Sequence, residues 1–199
     1  MRYDLTAAAQ EIERLLPAIS DADLARPTPC EDYSVATLLA HIDGLAYAFH
    51  LAAPVTPKSP EAVALLKSPP APSADDLPAE WRVTIPARLR ALAETWRNPS
   101  AWDGETTIGG VTMPAEITGL VALDELVLHG WDLARATGQE FYCDDASTAA
   151  CLSFTEMSAA PGEEAEREGL FGPVIDVPSD APALDRAIGL SGRSPHWQP

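Results

Sequence analysis

The spacing of apolar side chains along the chain predicts a series of amphipathic helices. Residues 4–18 carry apolar side chains at helical intervals, at Leu5, Ala8, Ile12, Leu15 and Leu16. Ser34 is a natural N-cap for a second, more apolar helix that extends to about Ala53. A third helix is predicted over roughly 79–97, with Trp81, Leu89, Leu92 and Trp96 facing the core. Pro86 is predicted to kink this helix or to move its start to that point, because proline has no amide to donate.

A fourth and longer helix is predicted over 112–137. Pro114 would lie in its first turn, and Gly138 follows its last residue, which is the usual order of these two residues at helix ends. The preceding segment, 98–113, is rich in glycine and threonine, and this composition predicts a turn or a short hairpin.

The prolines crowd into two stretches that are predicted to lie outside the long helices. Residues 54–78 are predicted to form a proline-rich loop with one helical turn at 61–66. Shorter helices are predicted at 145–159 and 182–190, the second within an irregular tail over 160–199. With no internal repeat and no βαβ rhythm, the pattern predicts one all-α domain over 1–199. We expect an antiparallel four-helix bundle with an extra short helix, and the tail packed on the bundle.

Composition and charge narrow the possible partners and the location. The 199 residues include 13 basic and 30 acidic side chains, a formal charge of −17 that repels phosphate backbones and anionic lipid. We therefore expect no nucleic-acid or membrane partner; the run at 163–168 is predicted to be a solvated acidic stretch. Three cysteines without a CxxC spacing indicate a reducing compartment, and Cys30 is predicted to pack rather than react. Without a secretion signal or an uninterrupted apolar span, the chain is predicted to be soluble and cytoplasmic.

Three acidic residues and a histidine interrupt the segment 117–136, which is otherwise apolar almost all round. Such a helix is buried on most sides, and buried charges need a partner or a metal. Glu125 and His129 are one helical turn apart and can converge on one point, an arrangement that metal sites in helical bundles use. Asp124 points away from His129, whereas Asp132 lies on the same face and is a candidate to support the histidine or to replace a ligand.

The second predicted helix supplies a complementary histidine, His41, within an apolar face. If the second and fourth helices pack side by side, His41, Glu125 and His129 form a His₂Glu set, the composition of catalytic zinc sites with an open position. Gly130 would let another group approach closely, and His50 is predicted to lie on the surface. Spacing alone leaves open the alternative that each histidine is a hydrogen-bonded core residue.

Three stretches resemble one known family. TPCEDYSVATLLAHIDG (28–44) and DELVLHGWDLARATGQEF (124–141) are similar to two motifs of the mycothiol-dependent maleylpyruvate isomerase N-terminal-domain family, within the DinB/YfiT-like superfamily. The stretch LFGPVIDVPSDAPALDRAIGLSGRSPHW (170–197) is similar to the tail of an actinobacterial subgroup of single-domain, metal-binding members.

The resemblance implies a four-helix bundle that holds a divalent metal, usually zinc, at His41, Glu125 and His129. Nickel or another borderline ion suits the same nitrogen and oxygen donors. Asp132 would orient a ligand histidine or relay a proton. Two features depart from the family: Tyr33 stands where tryptophan is usual, and the family's isomerase has a second, C-terminal domain for which 199 residues leave no room.

The function implied is a metal-dependent S-transferase or isomerase that uses mycothiol as a low-molecular-weight thiol. The alternatives are a non-catalytic, metal-binding or stress-linked module and, less favoured, a metal-dependent hydrolase. Trp131 and Arg82 are the predicted substrate-binding residues. An acidic thiol needs a cation near the metal, for which Arg88, Arg90 and Arg135 are further candidates. We expect a small molecule as the main partner, and a homodimer is plausible for such bundles.

Overall fold

A computed structural model describes residues 2–162, 167 and 169–199, and these residues are mostly helical, as the sequence predicts. The helices are α1 (Thr6–Leu15), α2 (Val35–Ala52), α3 (Pro60–Lys67), α4 (Trp81–Arg97), α5 (Ala115–Thr137), α6 (Asp145–Ser158) and α7 (Ala183–Leu190). Two short strands, β1 (Glu105–Ile108) and β2 (Val111–Pro114), precede α5. The acidic run predicted at 163–168 lies outside the described residues, apart from Arg167.

The core is formed mainly where α1, α2, α4 and α5 meet. Both α1 and α2 contact α4 and α5, so each of the four helices lies against two of the others. The apolar positions predicted for α1 and α4 are all buried in one hydrophobic cluster, which also takes in Cys151 of α6 and Ile188 of α7. Helical periodicity therefore identified the core faces of these helices correctly.

Helix α2 begins where the sequence predicts. The Ser34 hydroxyl accepts a hydrogen bond from the Thr37 amide at 3.2 Å, which satisfies an amide that the first turn leaves free. By length and composition α2 is long and apolar enough to cross a membrane, but 67% of it is buried inside the protein. A buried core helix passes the same test of length and composition, so this finding is weak support for a membrane span.

Helix α4 contains Pro86 in its interior, which corrects one of the two predicted outcomes. The helix begins at Trp81, so its start is not moved to the proline. Proline removes a single amide donor near the N-terminal end of a 17-residue helix, and the buried side chains of Trp81 and Ile85 hold that first turn against the core.

The segment before α5 forms a hairpin, and α5 begins later than predicted. Strands β1 and β2 pair antiparallel, with Ile108 opposite Val111, and the two-residue turn consists of Gly109 and Gly110 with φ of 60° and 81°. Positive φ at both positions is the type I′ geometry that glycine favours. Pro114 ends β2 instead of lying in the first turn of the helix, while Gly138 ends α5 with φ of 68°, as predicted.

The proline-rich loop predicted at 54–78 contains a two-turn helix, α3, where only one turn was predicted. The Ser59 hydroxyl accepts from the Ala62 amide at 3.2 Å, and Pro60 occupies the first helical position. Ala62 and Leu66 pack in a small cluster with Leu51 and Ala52 of α2. This tertiary contact stabilises a helix that would be too short to form alone.

The tail returns to α5 through its last residues. Helix α7 packs against α6, which in turn packs against α5. The Arg135 guanidinium donates to the Trp197 carbonyl at 2.7 Å, and Arg193 forms a buried ion pair with Asp132. The described end of the chain is thereby held against the helix that carries most of the candidate site residues.

Candidate metal centre

Helices α2 and α5 bring His41, Glu125 and His129 together. Glu125 Oε2 lies 3.0 Å from His129 Nε2 and 3.6 Å from His41 Nε2. The two imidazole rings are perpendicular, with centroids 4.7 Å apart. One donor atom from each residue lies within 4.8 Å of the others. The side-by-side packing that the sequence analysis required is therefore present.

Burial on nearly all sides explains why α5 holds these groups in fixed positions. Its apolar residues pack on α1, α2 and α6, so the polar groups of the helix must pair within the protein. Asp124 points away from the cluster, as predicted, and accepts a hydrogen bond from the Cys151 thiol at 3.0 Å. Burial raises the pKa of Asp124 to about 7, which sets it apart from the carboxylate of Glu125.

The electrostatics of Glu125 and His129 are those of a tightly paired anion and cation. Burial opposes the charge on Glu125, but hydrogen bonds from His129 and His41 outweigh burial and hold the pKa of this carboxyl well below its usual range. Burial likewise opposes the charge on His129, but hydrogen bonds with Asp132 and Glu125 raise its pKa to about 9. The raised pKa of His129 and the lowered pKa of Glu125 both favour a protonated imidazole that donates from Nε2 to Glu125 Oε2.

Asp132 supports His129 from the opposite side of the ring. Its Oδ2 lies 3.0 Å from His129 Nδ1, with both side chains buried. Sequence analysis missed the residue that completes this arrangement: Arg193 of the tail, which donates to both carboxylate oxygens of Asp132. The two residues are 61 positions apart, so no helical spacing links them. The only available signal was the general need of a buried carboxylate for a cationic partner.

One side of the cluster is open to solvent. The side chains of His41 and Glu125 are 26% and 25% exposed, whereas that of His129 is only 8% exposed. The Tyr33 ring packs edge-on against His41, with centroids 5.6 Å apart. His41 and Glu125 are therefore accessible from solvent, beside the Tyr33 ring.

A second grouping among the described residues, Cys30, His129 and Asp132, suits a metal less well. Both oxygens of Asp132 already accept hydrogen bonds from Arg193, and the guanidinium would repel a cation at that place. Burial, aided by the charge of Asp132, raises the pKa of the Cys30 thiol to about 11, so it is a poor source of thiolate.

The two residues predicted to bind substrate have partners of their own in the structure. Trp131 is buried in the core with only 5% of its surface exposed, beside Arg135. Arg82 donates to the Ile19 carbonyl at 3.0 Å and to Asp21 at 2.8 Å. Burial on α5 holds Trp131, and a salt bridge links Arg82 to the loop after α1; that the two residues bind substrate stays a prediction.

The other arginines proposed as anion-binding residues also have partners outside the cluster. Arg88 pairs with Asp43, Arg90 pairs with Glu13, and Arg135 binds the tail. This pairing counts against the prediction that one of them receives an acidic thiol.

Gly130 and the remaining histidines can also be placed. A Cβ at Gly130 would lie 2.8 Å from the Phe141 ring, so the group that approaches this glycine closely is a side chain of the protein. His50, predicted to be a surface residue, is half-buried with Nδ1 2.7 Å from the Thr95 hydroxyl. His196 is exposed.

The chemistry of the donor set fits a divalent metal. Two ligands 2.0–2.1 Å from a tetrahedral zinc ion are separated by about 3.3 Å, and the distances of 3.0 and 3.6 Å from Glu125 Oε2 bracket this value. Once His129 loses its proton to bind an ion, His41, Glu125 and His129 would together supply one negative charge and two neutral imidazoles, and the ion would have a solvent-facing position for a further ligand.

Fold and site together define a class: mostly helical proteins with a buried histidine–carboxylate cluster between two core helices. The sequence profile of the mycothiol maleylpyruvate isomerase N-terminal domain matches residues 5–134. The chain belongs to this family, which confirms the resemblance noted in the sequence. No curated protein matches the chain.

Two solved structures are similar to the chain. The crystal structure of the mycothiol-dependent maleylpyruvate isomerase has a TM-score of 0.56 and 22% identity, over 89% of this chain and 75% of that one. A mutant of that isomerase has a TM-score of 0.49 and 18% identity, over 76% of this chain and 66% of that one. The first comparison shows a shared fold that extends beyond the residues matched by the family profile.

Proposed function

We propose that the chain is a metal-dependent enzyme that uses a low-molecular-weight thiol, mycothiol. It either joins the thiol to a small electrophilic substrate, as an S-transferase, or isomerises that substrate. One observation carries the proposal: three donors typical of catalytic zinc converge within 4.8 Å, and two of them face solvent. The choice of mycothiol as the thiol rests on membership of a family named for a mycothiol maleylpyruvate isomerase.

The residues of the site have separable roles in this proposal. His41, Glu125 and His129 hold the ion, for which zinc is the first choice and nickel or another borderline ion the alternative. Asp132 accepts a hydrogen bond from His129 Nδ1 and so leaves Nε2 directed at Glu125. Tyr33 shields one side of His41 from water.

A bound divalent ion lowers the pKa of a coordinated thiol, so that the thiol is presented as a thiolate nucleophile at neutral pH. The protein keeps the negative charge beside the ion low, which favours an anionic ligand. Arg193 neutralises Asp132, so that only the charge of Glu125 faces the ion. This balance matters because Arg82 and the other candidate arginines are paired elsewhere.

Metal content tests the ligand assignment. We expect about one ion per chain in the wild type and a near-complete loss of bound metal in His41→Ala, Glu125→Ala and His129→Ala, because each removes one of three protein ligands. His196→Ala is the matched control, since this histidine is exposed and its loss leaves the site intact. Elemental analysis after dialysis measures the result; unchanged metal in the His41 and His129 variants would contradict the assignment.

Activity tests the thiol chemistry. Zinc-loaded wild-type protein is expected to consume electrophiles or isomerise cis-enoyl acids only when mycothiol is present, and His129→Ala is expected to lose this activity. The pairing of the four predicted arginines favours the alternative, a non-catalytic metal-binding module. Bound metal without thiol-dependent turnover across a broad panel would select that alternative.

We infer that α1, α2, α4 and α5 form the antiparallel four-helix bundle of a single domain, with the tail packed on it. The absence of nucleic-acid and membrane partners stays a prediction from charge, and a cytoplasmic location stays a prediction from the sequence pattern and the cysteines. A homodimer stays a prediction from the bundle class.

A further inference from the structure

The tail contributes a buried cation to the neighbourhood of the candidate metal centre. Arg193 follows α7, and its side chain is only 9% exposed. Its Nε lies 2.8 Å from Asp132 Oδ1 and 3.0 Å from Oδ2, and its Nη2 lies 3.0 Å from Oδ2. A buried guanidinium that binds both oxygens of one carboxylate fixes the plane of that carboxylate as well as its charge.

The same carboxylate oxygen links this arginine to the histidine of the site. Asp132 Oδ2 accepts from Arg193 and lies 3.0 Å from His129 Nδ1, while His129 Nε2 lies 3.0 Å from Glu125 Oε2. The orientation of the imidazole ring is thus fixed at both nitrogens. If the carboxylate were free to rotate, only the Glu125 side would constrain the ring.

The backbone around Arg193 is itself held in place. Its Nη1 contacts the Ser191 hydroxyl at 3.2 Å, and that hydroxyl donates to the Ile188 carbonyl at 2.8 Å. Gly192 has φ of 86°, and a Cβ there would come within 2.7 Å of the backbone of Gly172. The turn that delivers Arg193 therefore requires glycine and packs against a second part of the tail.

We propose that Arg193 is a positioning residue of the metal centre: by holding Asp132, it directs Nε2 of His129 toward His41 and Glu125. The inference rests on the proposed metal site. Arg193 lies outside residues 5–134, so family membership does not assign this role. The tail then contributes to the geometry of the metal site and also packs against α5.

A matched pair of substitutions tests the proposal. Arg193→Lys keeps the positive charge but loses the two-pronged contact with Asp132; Arg135→Lys makes the same change at an arginine that ties α5 to Trp197 without touching Asp132. With zinc as the probe, Arg193→Lys is expected to weaken binding about 10- to 100-fold in chelator competition. Arg135→Lys is expected to stay within about 2-fold of the wild type, because its contact lies outside the path to His129.

The visible spectrum of bound cobalt(II) reports the geometry of the metal site, and a lower stability of the fold alone does not change it. We expect the visible spectrum of the cobalt-loaded Arg193→Lys protein to differ from that of the wild type, and that of Arg135→Lys to match it. A double-mutant cycle with Asp132→Asn tests whether the arginine acts through the carboxylate. The double variant is expected to bind zinc less than about 2-fold more weakly than Asp132→Asn alone. Fully additive losses would overturn the proposal.

One test uses only the wild-type protein and so does not depend on whether a variant folds. In imidazole ¹⁵N spectra of the zinc-loaded protein, His129 is expected to carry its proton on Nδ1 and zinc on Nε2, and zinc on Nδ1 would overturn the positioning role. The outcomes separate the two proposals. A wild type that binds no zinc overturns the metal site itself, whereas normal binding with equal affinities for Arg193→Lys and Arg135→Lys overturns only the role of Arg193.

Discussion

At the scale of single residues, Cys30 shows that nearness to the site does not make a side chain reactive. Burial and the charge of Asp132 raise the pKa of its thiol to about 11, and the neighbouring guanidinium of Arg193 offsets only part of this effect. The thiol is therefore protonated at neutral pH, which fits the prediction that Cys30 packs. In the proposed function the thiolate therefore comes from the bound small-molecule thiol and not from Cys30.

The pH dependence of alkylation tests this state of Cys30. Because the pKa is raised, only about 0.1% of the group is thiolate at pH 8, and the rate with iodoacetamide is expected to rise about tenfold per pH unit from 7 to 9.5. Peptide mass spectrometry measures the rate at this residue, with N-acetylcysteine as the free-thiol reference. A rate that levels off below pH 9 would contradict the raised pKa.

At the scale of helices, two glycines show how packing reverses the effect of one substitution. Gly119 of α5 lies against two indole rings: a Cβ there would overlap the Trp102 ring and lie 2.8 Å from Trp96. Both rings are fixed by hydrogen bonds, from Trp102 to the Trp96 carbonyl at 2.7 Å and from Trp96 to the Phe49 carbonyl at 3.0 Å. Gly44 of α2 is exposed, and a Cβ there would meet nothing within 4 Å.

Alanine at these two positions is expected to act in opposite directions. Gly119→Ala is predicted to lower the free energy of unfolding by about 1–3 kcal/mol, because the fixed indoles cannot move away from the new methyl group. Gly44→Ala is predicted to raise it by about 0.5–1 kcal/mol, because alanine loses less backbone entropy in a helix. Urea titrations of the two variants measure both changes; a loss of stability at Gly44 would contradict the open environment.

At the scale of the whole molecule, the charge of −17 and the pairing of the arginines both result from the excess of acidic residues. Acidic residues are abundant, so Arg82, Arg88 and Arg90 each find a carboxylate on a neighbouring segment. These arginines tie helices and loops together. In the proposed function, positive charge at the site would come from the metal, since the charge of Arg193 is paired with Asp132.

Metal removal is expected to lower the stability of the whole molecule. His41 on α2 and Glu125 and His129 on α5 would be cross-linked by an ion that the unfolded chain cannot bind in the same way. Zinc at 100 times its dissociation constant then adds about 2.7 kcal/mol, or about 5–10 °C in Tm. Differential scanning calorimetry with zinc and with a chelator measures the shift. His129→Ala is the control that should show none, and equal Tm values for the wild type would contradict the site.

The sequence by itself determined the features that depend on neighbours along the chain. Ser34 and Gly138 mark helix ends because capping is local chemistry, and the buried faces of α1 and α4 follow from periodicity. The pairing of Glu125 with His129 also follows from one helical turn, and His41 was predicted to join them from its place on the apolar face of the second helix.

Tertiary structure alone decided the contacts between distant segments. Arg193 reaches Asp132 across 61 residues because of the path of the tail, and no periodicity encodes that path. For the same reason Arg82 turned out to bind Asp21, and Trp131 turned out to lie in the core. A helical pattern states which residues share a face, whereas the partner that covers a face, and therefore the surroundings of a buried charge, depends on how the helices and the tail pack together.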